Sequence, residues 1–310
     1  MTSHSISEIG VVIPAFDRAA MLAEAVTSVF SQTADSFRLV VVDDSSTEDL
    51  SEVRWLVEKR GHLWLSHAEN RGVAAARNTG AEALASDWIA FLDSDDLWDP
   101  KKLESQLAWH RSHPDCRISQ TAERWIRMGR EVRKPAGWRQ KGGDLFAECV
   151  DRCAIGPSCV MIRRDLWTEI GGFDERFPVC EDYELWLRIA SREPVCLVAG
   201  DPLVEKRGGH PDQLSTRVPA LDRYRVVALL QLLERGGLGG SPSAIVRAGL
   251  AKKAKIVSSG AAKRSAADRE RFYRSLADGL GRADFRAADW IEEAWKHCRD
   301  EYSPGPPPRA

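Results

Sequence analysis

Aspartates follow the apolar runs of the first hundred residues, at the points where buried strands would end. The densest group is LDSDD, which contains Asp93, Asp95 and Asp96. Carboxylate oxygens on a turn are ligands that suit Mg²⁺ or Mn²⁺. A divalent cation held there could bridge the protein to a diphosphate, which so much negative charge would otherwise repel. The pattern therefore predicts a cation site for a nucleoside diphosphate.

A second acidic group, Glu181 and Asp182, begins the segment EDYELWLRIA, which has helical periodicity. A carboxylate placed there could act as a general base that takes a proton from a sugar hydroxyl. The alternative is electrostatic, because acidic side chains stabilise a helix N-terminus. The alternative for the first group is that acids after strands cap helices or face solvent. In the longer segment LDSDDLWDP, Asp99 before Pro100 has the pattern of a helix N-cap.

Apolar runs of strand length alternate with helical periodicity over the first ninety or so residues, which predicts a βαβαβ unit. The strands are expected at Ile9–Phe16, Phe37–Val42 and Trp88–Leu92, and the helices at Met21–Gln32, Leu50–Arg60 and Val73–Ala85. Continuous runs rich in Val and Ile suit parallel strands buried on both faces. Ligands of such sheets bind beyond the carboxyl ends of the strands. We therefore expect Asp17, Asp44 and the LDSDD aspartates at one acidic edge.

The pattern becomes mixed in the second part of the chain. We expect strands there at Ile118–Ile126, Ser158–Ile162 and Val195–Val198. We expect helices at Asp144–Asp151, Arg164–Ile170 and Glu181–Ser191. These elements predict one α/β catalytic domain over residues 1–219, with a nucleotide-binding half at 1–116 and an acceptor half at 117–219. Residues 220–302 are predicted to be helical, with a break at Gly236–Pro242, and 303–310 to be a disordered tail.

The composition narrows the class of protein. The 310 residues carry 44 basic and 46 acidic side chains, a balance that argues against a nucleic-acid partner. No stretch approaches the roughly 20 apolar residues of a membrane span, and the polar N-terminal segment lacks the charged-then-apolar layout of a signal peptide. We therefore expect a cytoplasmic protein. Seven cysteines without a CxxC pair predict reduced thiols. The basic segment Arg247–Arg274 has two interpretations, peripheral contact with the anionic inner face of a membrane or a solvated helix face.

Six short motifs together resemble those of one enzyme family. VVIPAFDR, VVVDDSS, ENRGVAAARN, IAFLDSDD, GGFDE and CEDYELWLR occur in the order and approximate spacing of family 2 glycosyltransferases. Over residues 9–215 the chain looks like these inverting enzymes, which have the GT-A fold. The resemblance implies a Rossmann-like nucleotide-binding half joined to a mixed-sheet acceptor half. It also implies Mn²⁺ or Mg²⁺ at the DxD motif, a nucleotide-sugar donor, for which we expect UDP, and a saccharide or lipid-linked acceptor.

Matching positions carry over the family's roles. Asp182 corresponds to the general base, with Glu181 beside it, and Trp186 one helical turn later is a candidate on the acceptor side. Asp95, Asp96 and His210 are the candidate metal contacts. The candidate nucleotide contacts are Pro14, Phe16, Asp17, Asp44, Arg71, Asp93 and Ser94.

The chemistry of some of these matches can be stated. Phe16 would stack on the base and Asp44 would accept its imide N–H, as uracil requires. Arg71 and Arg77 could meet phosphate, or could pair with nearby acids. Asp17 and Ser45 stand where the family usually has Asn and Gly, but all four residue types suit turns.

Two other functions stay open from sequence. One is a non-catalytic protein with a degenerate glycosyltransferase fold that binds nucleotide sugar or scaffolds an assembly. The other is a sugar-phosphate nucleotidyltransferase, in which the EDYELWLR segment would have no role.

Overall fold

The chain forms two compact units. A computed structural model describes residues 8–135, 138–209, 218 and 220–299. Unit 1 comprises the described residues up to 145 together with 155–178 and 193–209, and unit 2 comprises 146–154, 179–192 and the described residues after 217. Unit 2 thus combines two internal segments with the C-terminal helices. The boundary predicted at residue 219 stays a prediction, and the predicted tail lies outside the described residues.

All the β-strands described belong to unit 1. They are β1 (Ile9–Ala15), β2 (Phe37–Asp43), β3 (Leu63–Ser66), β4 (Trp88–Phe91), β5 (Leu97–Trp98), β6 (Ile118–Thr121), β7 (Glu123–Arg127), β8 (Arg130–Val132), β9 (Val160–Arg163), β10 (Cys196–Val198) and β11 (Val204–Gly208). A seven-stranded sheet has the order β10-β6-β9-β4-β1-β2-β3, and a four-stranded sheet has the order β5-β11-β7-β8.

The large sheet is mixed. β1 pairs in parallel with β2 and β4, and β2 with β3, whereas β9 runs antiparallel to both β4 and β6. Every residue of β1 is buried, as expected for a strand covered on both faces. Because β9 runs against β4, β9 begins at the edge where β4 ends. This arrangement confirms the predicted α/β class.

The run Ile118–Ile126 is not one strand, contrary to prediction. It divides at Ala122 into β6 and β7, which belong to different sheets. The carbonyl of Ala122 accepts the N–H of Leu203 at 3.0 Å, immediately before the residues at which β7 and β11 pair within the small sheet. The short strands β3, β5, β8 and β11 were not expected either.

The helices of unit 1 flank the large sheet. They are α1 (Ala19–Phe30), α2 (Ser51–Lys59), α3 (Val73–Glu82), α4 (Lys102–Ser112) and, after α5 of unit 2 (Phe146–Asp151), α6 (Arg164–Ile170). Leu22, Ala25, Val26 and Val29 of α1 are all buried, and their three- and four-residue spacing places them on one face. Their core partners include Ile13 and Val41 of the sheet.

All the secondary-structure elements described in unit 2 are helices. Besides α5 it contains α7 (Glu181–Ala190), α8 (Asp222–Arg235), α9 (Gly240–Lys263), α10 (Ala267–Gly279) and α11 (Ala288–Arg299). The predicted break at Gly236–Pro242 is shorter than expected, because α9 already begins at Gly240. Among the described helices, none combines the length and the apolar character that a bilayer crossing requires.

One cysteine pair differs from the sequence prediction. Cys116 and Cys196 form a disulfide that joins the segment before β6 to the first residue of β10 in unit 1, so the expectation of reduced thiols is wrong for these two. Their 80-residue separation and the absence of a spacing motif concealed the pair. Among the described residues, the free cysteines are Cys149, Cys153, Cys159, Cys180 and Cys298.

Candidate active site

The three aspartates of LDSDD form one acidic turn beyond the end of β4. Asp93, Asp95 and Asp96 each offer a carboxylate oxygen, and these oxygens lie within 4.8 Å of one another. The turn follows a buried strand that pairs with β1 on one side and β9 on the other. The sheet therefore places three carboxylates at its edge, close enough to share one cation.

Asp96 is the buried member of the turn, with only 2% of its surface exposed. Its Oδ2 accepts a hydrogen bond from the Ser158 hydroxyl at 2.7 Å, and its Oδ1 accepts the backbone N–H of Arg207 at 2.9 Å. Burial raises the pKa of Asp96 well above its usual range, and the negative charges of Asp95 and Asp93 raise it further. Both oxygens of Asp96 are thus engaged by the protein.

Asp93 and Asp95 are the more exposed members, and each is paired with an arginine. Arg77 Nη2 lies 2.6 Å from Asp93 Oδ1, and Arg18 Nη1 lies 3.0 Å from Asp95 Oδ2. Arg77 is buried, and its guanidinium lies over the Phe173 ring, 5.0 Å from the centroid. The more exposed carboxylates of Asp93 and Asp95 are therefore candidates to bind a cation, and the metal contact predicted for Asp96 stays a prediction.

The donor set fits a hard divalent cation. Three carboxylates converge on a turn, and oxygen-rich sites of this kind suit Mg²⁺ and Mn²⁺. Burial is the main cause of the raised pKa of Asp96, and the negative charges of Asp95 and Asp93 add to it; a bound dication would offset that repulsion. Asp93 and Asp95 would supply the outer ligands, with Asp96 as the inner support.

Asp44 follows β2 and organises the start of α3. Its Oδ2 accepts the N–H of Gly72 at 2.7 Å, while its Oδ1 accepts the N–H of Arg71 at 2.9 Å and lies 2.6 Å from Nδ1 of His67. Gly72 has a φ of 90°, in the left-handed region that favours glycine. Asp44 therefore fixes the loop that leads into α3, and its contact with the base stays a prediction.

Asp17 links two loops at the same edge. Its Oδ1 accepts the N–H groups of Thr47 and Glu48 at 2.7 and 3.1 Å, and its own N–H donates to Ser46 Oγ at 2.8 Å. Asp17 and Ser45 both adopt positive φ values, 55° and 65°, so the turn keeps the left-handed geometry without the usual Asn and Gly. The Asp17 carboxylate thus serves the loop that follows β1.

The other predicted nucleotide contacts differ in exposure. Phe16 is partly exposed, whereas Pro14 and Ser94 are buried. Arg71 extends to Glu175, with its Nη2 2.9 Å from Oε2, so it does pair with an acid. Their contacts with a nucleotide stay predictions.

Asp182 lies in unit 2, in the first turn of α7. Its Oδ2 accepts a hydrogen bond from the Cys153 thiol at 3.2 Å, and its Oδ1 accepts the N–H of Tyr183 at 2.6 Å. Tyr183 is buried, and its hydroxyl donates to the Val150 carbonyl at 2.8 Å. Glu181 is 5% exposed. The partly exposed Asp182 carboxylate is thus held on a buried helix.

The structure describes Trp186, a predicted acceptor-side residue, but not His210, a predicted metal contact. The expectation that Trp186 stacks on an acceptor sugar is corrected, because this residue is 1% exposed and its ring faces are covered. The reason is that α7 is buried along nearly its whole length, from Tyr183 to Ala190, and not on one face only. His210 lies outside the described residues.

The basic segment Arg247–Arg274 forms most of α9 and α10. Two of its cations, Lys253 and Arg269, are buried. Several others are engaged by acids or carbonyls of unit 2: Lys252 pairs with Asp151, and Arg247 donates to the Leu280 carbonyl. Peripheral membrane contact stays a prediction.

Three residues at the acidic turn were not found from sequence, namely Ser158, Arg207 and Arg18. Ser158 is buried, and its hydroxyl also accepts the N–H of Asp93 at 3.1 Å. Arg207 acts partly through its main chain. Ser158 and Arg207 belong to none of the quoted motifs, so no sequence signal pointed to them, whereas Arg18 ends VVIPAFDR but was given no role.

Comparisons with known proteins agree with the motif pattern. The sequence model of Glycosyl transferase family 2 matches residues 10–169. Over 189 residues the chain is 33% identical to an uncharacterized glycosyltransferase of Rickettsia conorii, covering 61% of this chain. The chain spans about a third of the length of that relative and of two similar Rickettsia proteins, 31%, 31% and 27%.

A relative with a named activity matches over a similar range. It is the Escherichia coli UDP-Glc:alpha-D-GlcNAc-diphosphoundecaprenol beta-1,3-glucosyltransferase WfgD, 29% identical over 182 residues, which cover 58% of this chain and 69% of that protein.

Solved structures match the fold at low identity. S. aureus TarS 1-349 in complex with UDP has a TM-score of 0.62 at 16% identity, covering 79% of this chain and 70% of that one. The mannosyltransferase PcManGT of Pyrobaculum calidifontis, in complex with GDP-Man and Mn²⁺, has a TM-score of 0.56 at 18% identity, covering 94% and 86%. At these identities the likeness concerns the fold alone.

Proposed function

The chain belongs to glycosyltransferase family 2, and we propose that it transfers a sugar from a nucleoside diphosphate to a hydroxyl group of a saccharide or lipid-linked acceptor, with inversion at the anomeric carbon. The observation that carries this proposal is the acidic turn, in which three carboxylates converge at the edge of the sheet. Family membership supports the reaction class, and the turn supports a cation site that would hold the diphosphate.

We propose UDP as the nucleotide. The support is that TarS is solved with UDP and that WfgD is named for UDP-Glc, while PcManGT, solved with GDP-Man, makes GDP the competing choice. The partly exposed Phe16 offers a ring for base stacking. Asp44 lies across the same edge, where it holds the α3 loop.

We propose that Asp93 and Asp95 hold Mn²⁺ or Mg²⁺, with Asp96 supporting the turn from beneath. A divalent cation at this place supplies positive charge that stabilises the leaving diphosphate. Arg77 and Arg18 hold the two outer carboxylates in place through their ion pairs.

Asp182 is the proposed general base, with Glu181 as its neighbour. Its carboxylate takes the proton of the acceptor hydroxyl while that oxygen attacks the anomeric carbon in line with the leaving diphosphate. The Cys153 thiol and the Tyr183 N–H orient the carboxylate. An α-linked nucleotide sugar then gives a β-glycoside.

Isothermal titration of UDP, GDP and dTDP, with and without Mn²⁺, tests the donor site. We expect one diphosphate to bind, in a manner that requires both Mn²⁺ and the carboxylate removed in Asp95→Ala. Asp182→Asn is the matched variant: it should retain this binding and lose transfer by at least about 100-fold. Absence of diphosphate binding would favour the scaffold function, and turnover of nucleoside triphosphates with sugar phosphates would favour a nucleotidyltransferase.

A further inference from the structure

Arg207 of β11 holds the acidic turn from the small sheet. Its backbone N–H donates to Asp96 Oδ1 at 2.9 Å, and its Nε donates to the Asp95 carbonyl at 2.5 Å. One residue therefore fixes the side chain of one aspartate and the main chain of the preceding one. These two contacts connect segments more than 100 residues apart in sequence.

The guanidinium of Arg207 is itself held in place. Its Nη1 forms an ion pair with Glu24 of α1, and only 16% of the Arg207 side chain is exposed. Glu24, in contrast, is 60% exposed. The arginine thus spans from helix α1 to the acidic turn, and its planar fork makes directed contacts at both ends.

Among the residues that the structure describes, one nitrogen of this guanidinium has no hydrogen-bond partner. This nitrogen is Nη2 of Arg207, and it is buried. A buried donor without a partner costs about 1–3 kcal/mol, so stability of the fold alone gives little reason for this placement. The contacts of Arg207 with the acidic turn explain its placement better.

We propose that Arg207 is a positioning residue for the acidic turn, which holds Asp95 and Asp96 so that the outer carboxylates converge on a divalent cation. This inference rests on the proposed donor site. Residues that orient metal ligands through hydrogen bonds typically change metal affinity 10–100-fold when they are replaced. Directed contacts carry the effect, so retaining the charge alone will not preserve it.

Mn²⁺ titration of the protein, followed by calorimetry and by the electron paramagnetic resonance signal of free Mn²⁺, tests the proposal without an activity assay. We expect Arg207→Lys, which keeps the charge but loses the fork, to bind Mn²⁺ at least about 10-fold more weakly. Glu24→Gln should weaken Mn²⁺ binding by a smaller factor, because it removes the charge of the ion pair while its amide oxygen can still accept from Nη1. Arg124→Lys is the matched control: Arg124 of β7 is 51% exposed and pairs with Glu205 at 3.0 Å, and not with an aspartate of the turn.

The outcomes separate the alternatives. Weaker Mn²⁺ binding by Arg207→Lys and Glu24→Gln, with Arg124→Lys unchanged, supports the proposal. Unchanged Mn²⁺ affinity in a folded Arg207→Lys protein overturns it. If urea titrations show that Arg207→Lys does not fold, the test rests on Glu24→Gln, because Glu24 is exposed. A Glu24→Gln protein that binds Mn²⁺ as tightly as the native protein then overturns the proposal. Failure of the native protein to bind Mn²⁺, with or without UDP, instead refutes the proposed donor site.

Discussion

Lys102 is a lysine with its whole surface buried in unit 1, and we expect its replacement by methionine to stabilise the protein in a pH-dependent way. Its Nζ donates to the Val160 carbonyl at 3.2 Å and lies 3.8 Å from the centroid of the Trp98 ring. Burial lowers the pKa of Lys102 from 10.5 to about 7, because desolvation penalises the ammonium.

The sign follows from proton linkage. Below pH 7 both the folded and the unfolded chain carry the charge, so the burial penalty is present in full. Between about pH 7 and 10.5 the unfolded chain binds the extra proton, so the native protein gains stability as the pH rises. Relative to Lys102→Met, which does not titrate, this gain amounts to about 2–3 kcal/mol between pH 6 and pH 9.

Urea unfolding of both proteins at pH 6 and pH 9 measures this change. We expect the stability advantage of Lys102→Met over the native protein to be largest at pH 6 and to shrink by about 2–3 kcal/mol at pH 9. The control is Lys101→Met, at the exposed neighbouring position, whose difference from the native protein should be small at both pH values. An advantage for Lys102→Met that is independent of pH, or that grows with pH, would refute the linkage argument.

Three further predictions concern the site. Ser158→Ala removes the donor to Asp96 and the acceptor of the Asp93 N–H, so the free energy of unfolding should fall by about 2–4 kcal/mol in urea titrations; a loss below about 0.5 kcal/mol would contradict the assigned contacts. Asp44→Asn places an amide donor against backbone N–H groups of Arg71 and Gly72, so calorimetry should show weaker UDP binding, and unchanged affinity would separate the α3 loop from the donor site. Iodoacetamide should alkylate the partly exposed Cys153 beside Asp182 and abolish transfer while leaving UDP binding intact, and Cys153→Ser should be resistant; equal inactivation of both proteins would place the sensitive thiol elsewhere.

The periodic elements of the fold were predictable because their patterns were long. Runs such as the one that forms β1 have several consecutive buried residues, and α6 was predicted with its observed bounds, Arg164–Ile170. The two-residue strand β5 was not, since Leu97 and Trp98 pair with β11 only through tertiary contacts. The division of Ile118–Ile126 likewise depends on a hydrogen bond from Leu203, which no local pattern encodes.

The acids of the candidate site were visible in the sequence because they cluster after strands. Their supports were not: Ser158 is one serine among many, and Arg207 contacts Asp96 through its main chain. Trp186 illustrates the opposite error. Its spacing from Asp182 placed both on one helical face, but periodicity does not reveal that other elements cover that face as well.

The antiparallel position of β9 has a consequence for the order in which this protein matures during synthesis. Asp93, Asp95 and Asp96 leave the ribosome early, but Ser158 and Arg207, which hold Asp96, follow 62 and 111 residues later. Domains generally fold as units during synthesis, and contacts of such long separation form late because loop closure is costly. A nascent chain that ends before residue 207 therefore carries all three acids without the contacts of Arg207, and we expect the proposed cation affinity to arise only after β11 has joined the small sheet.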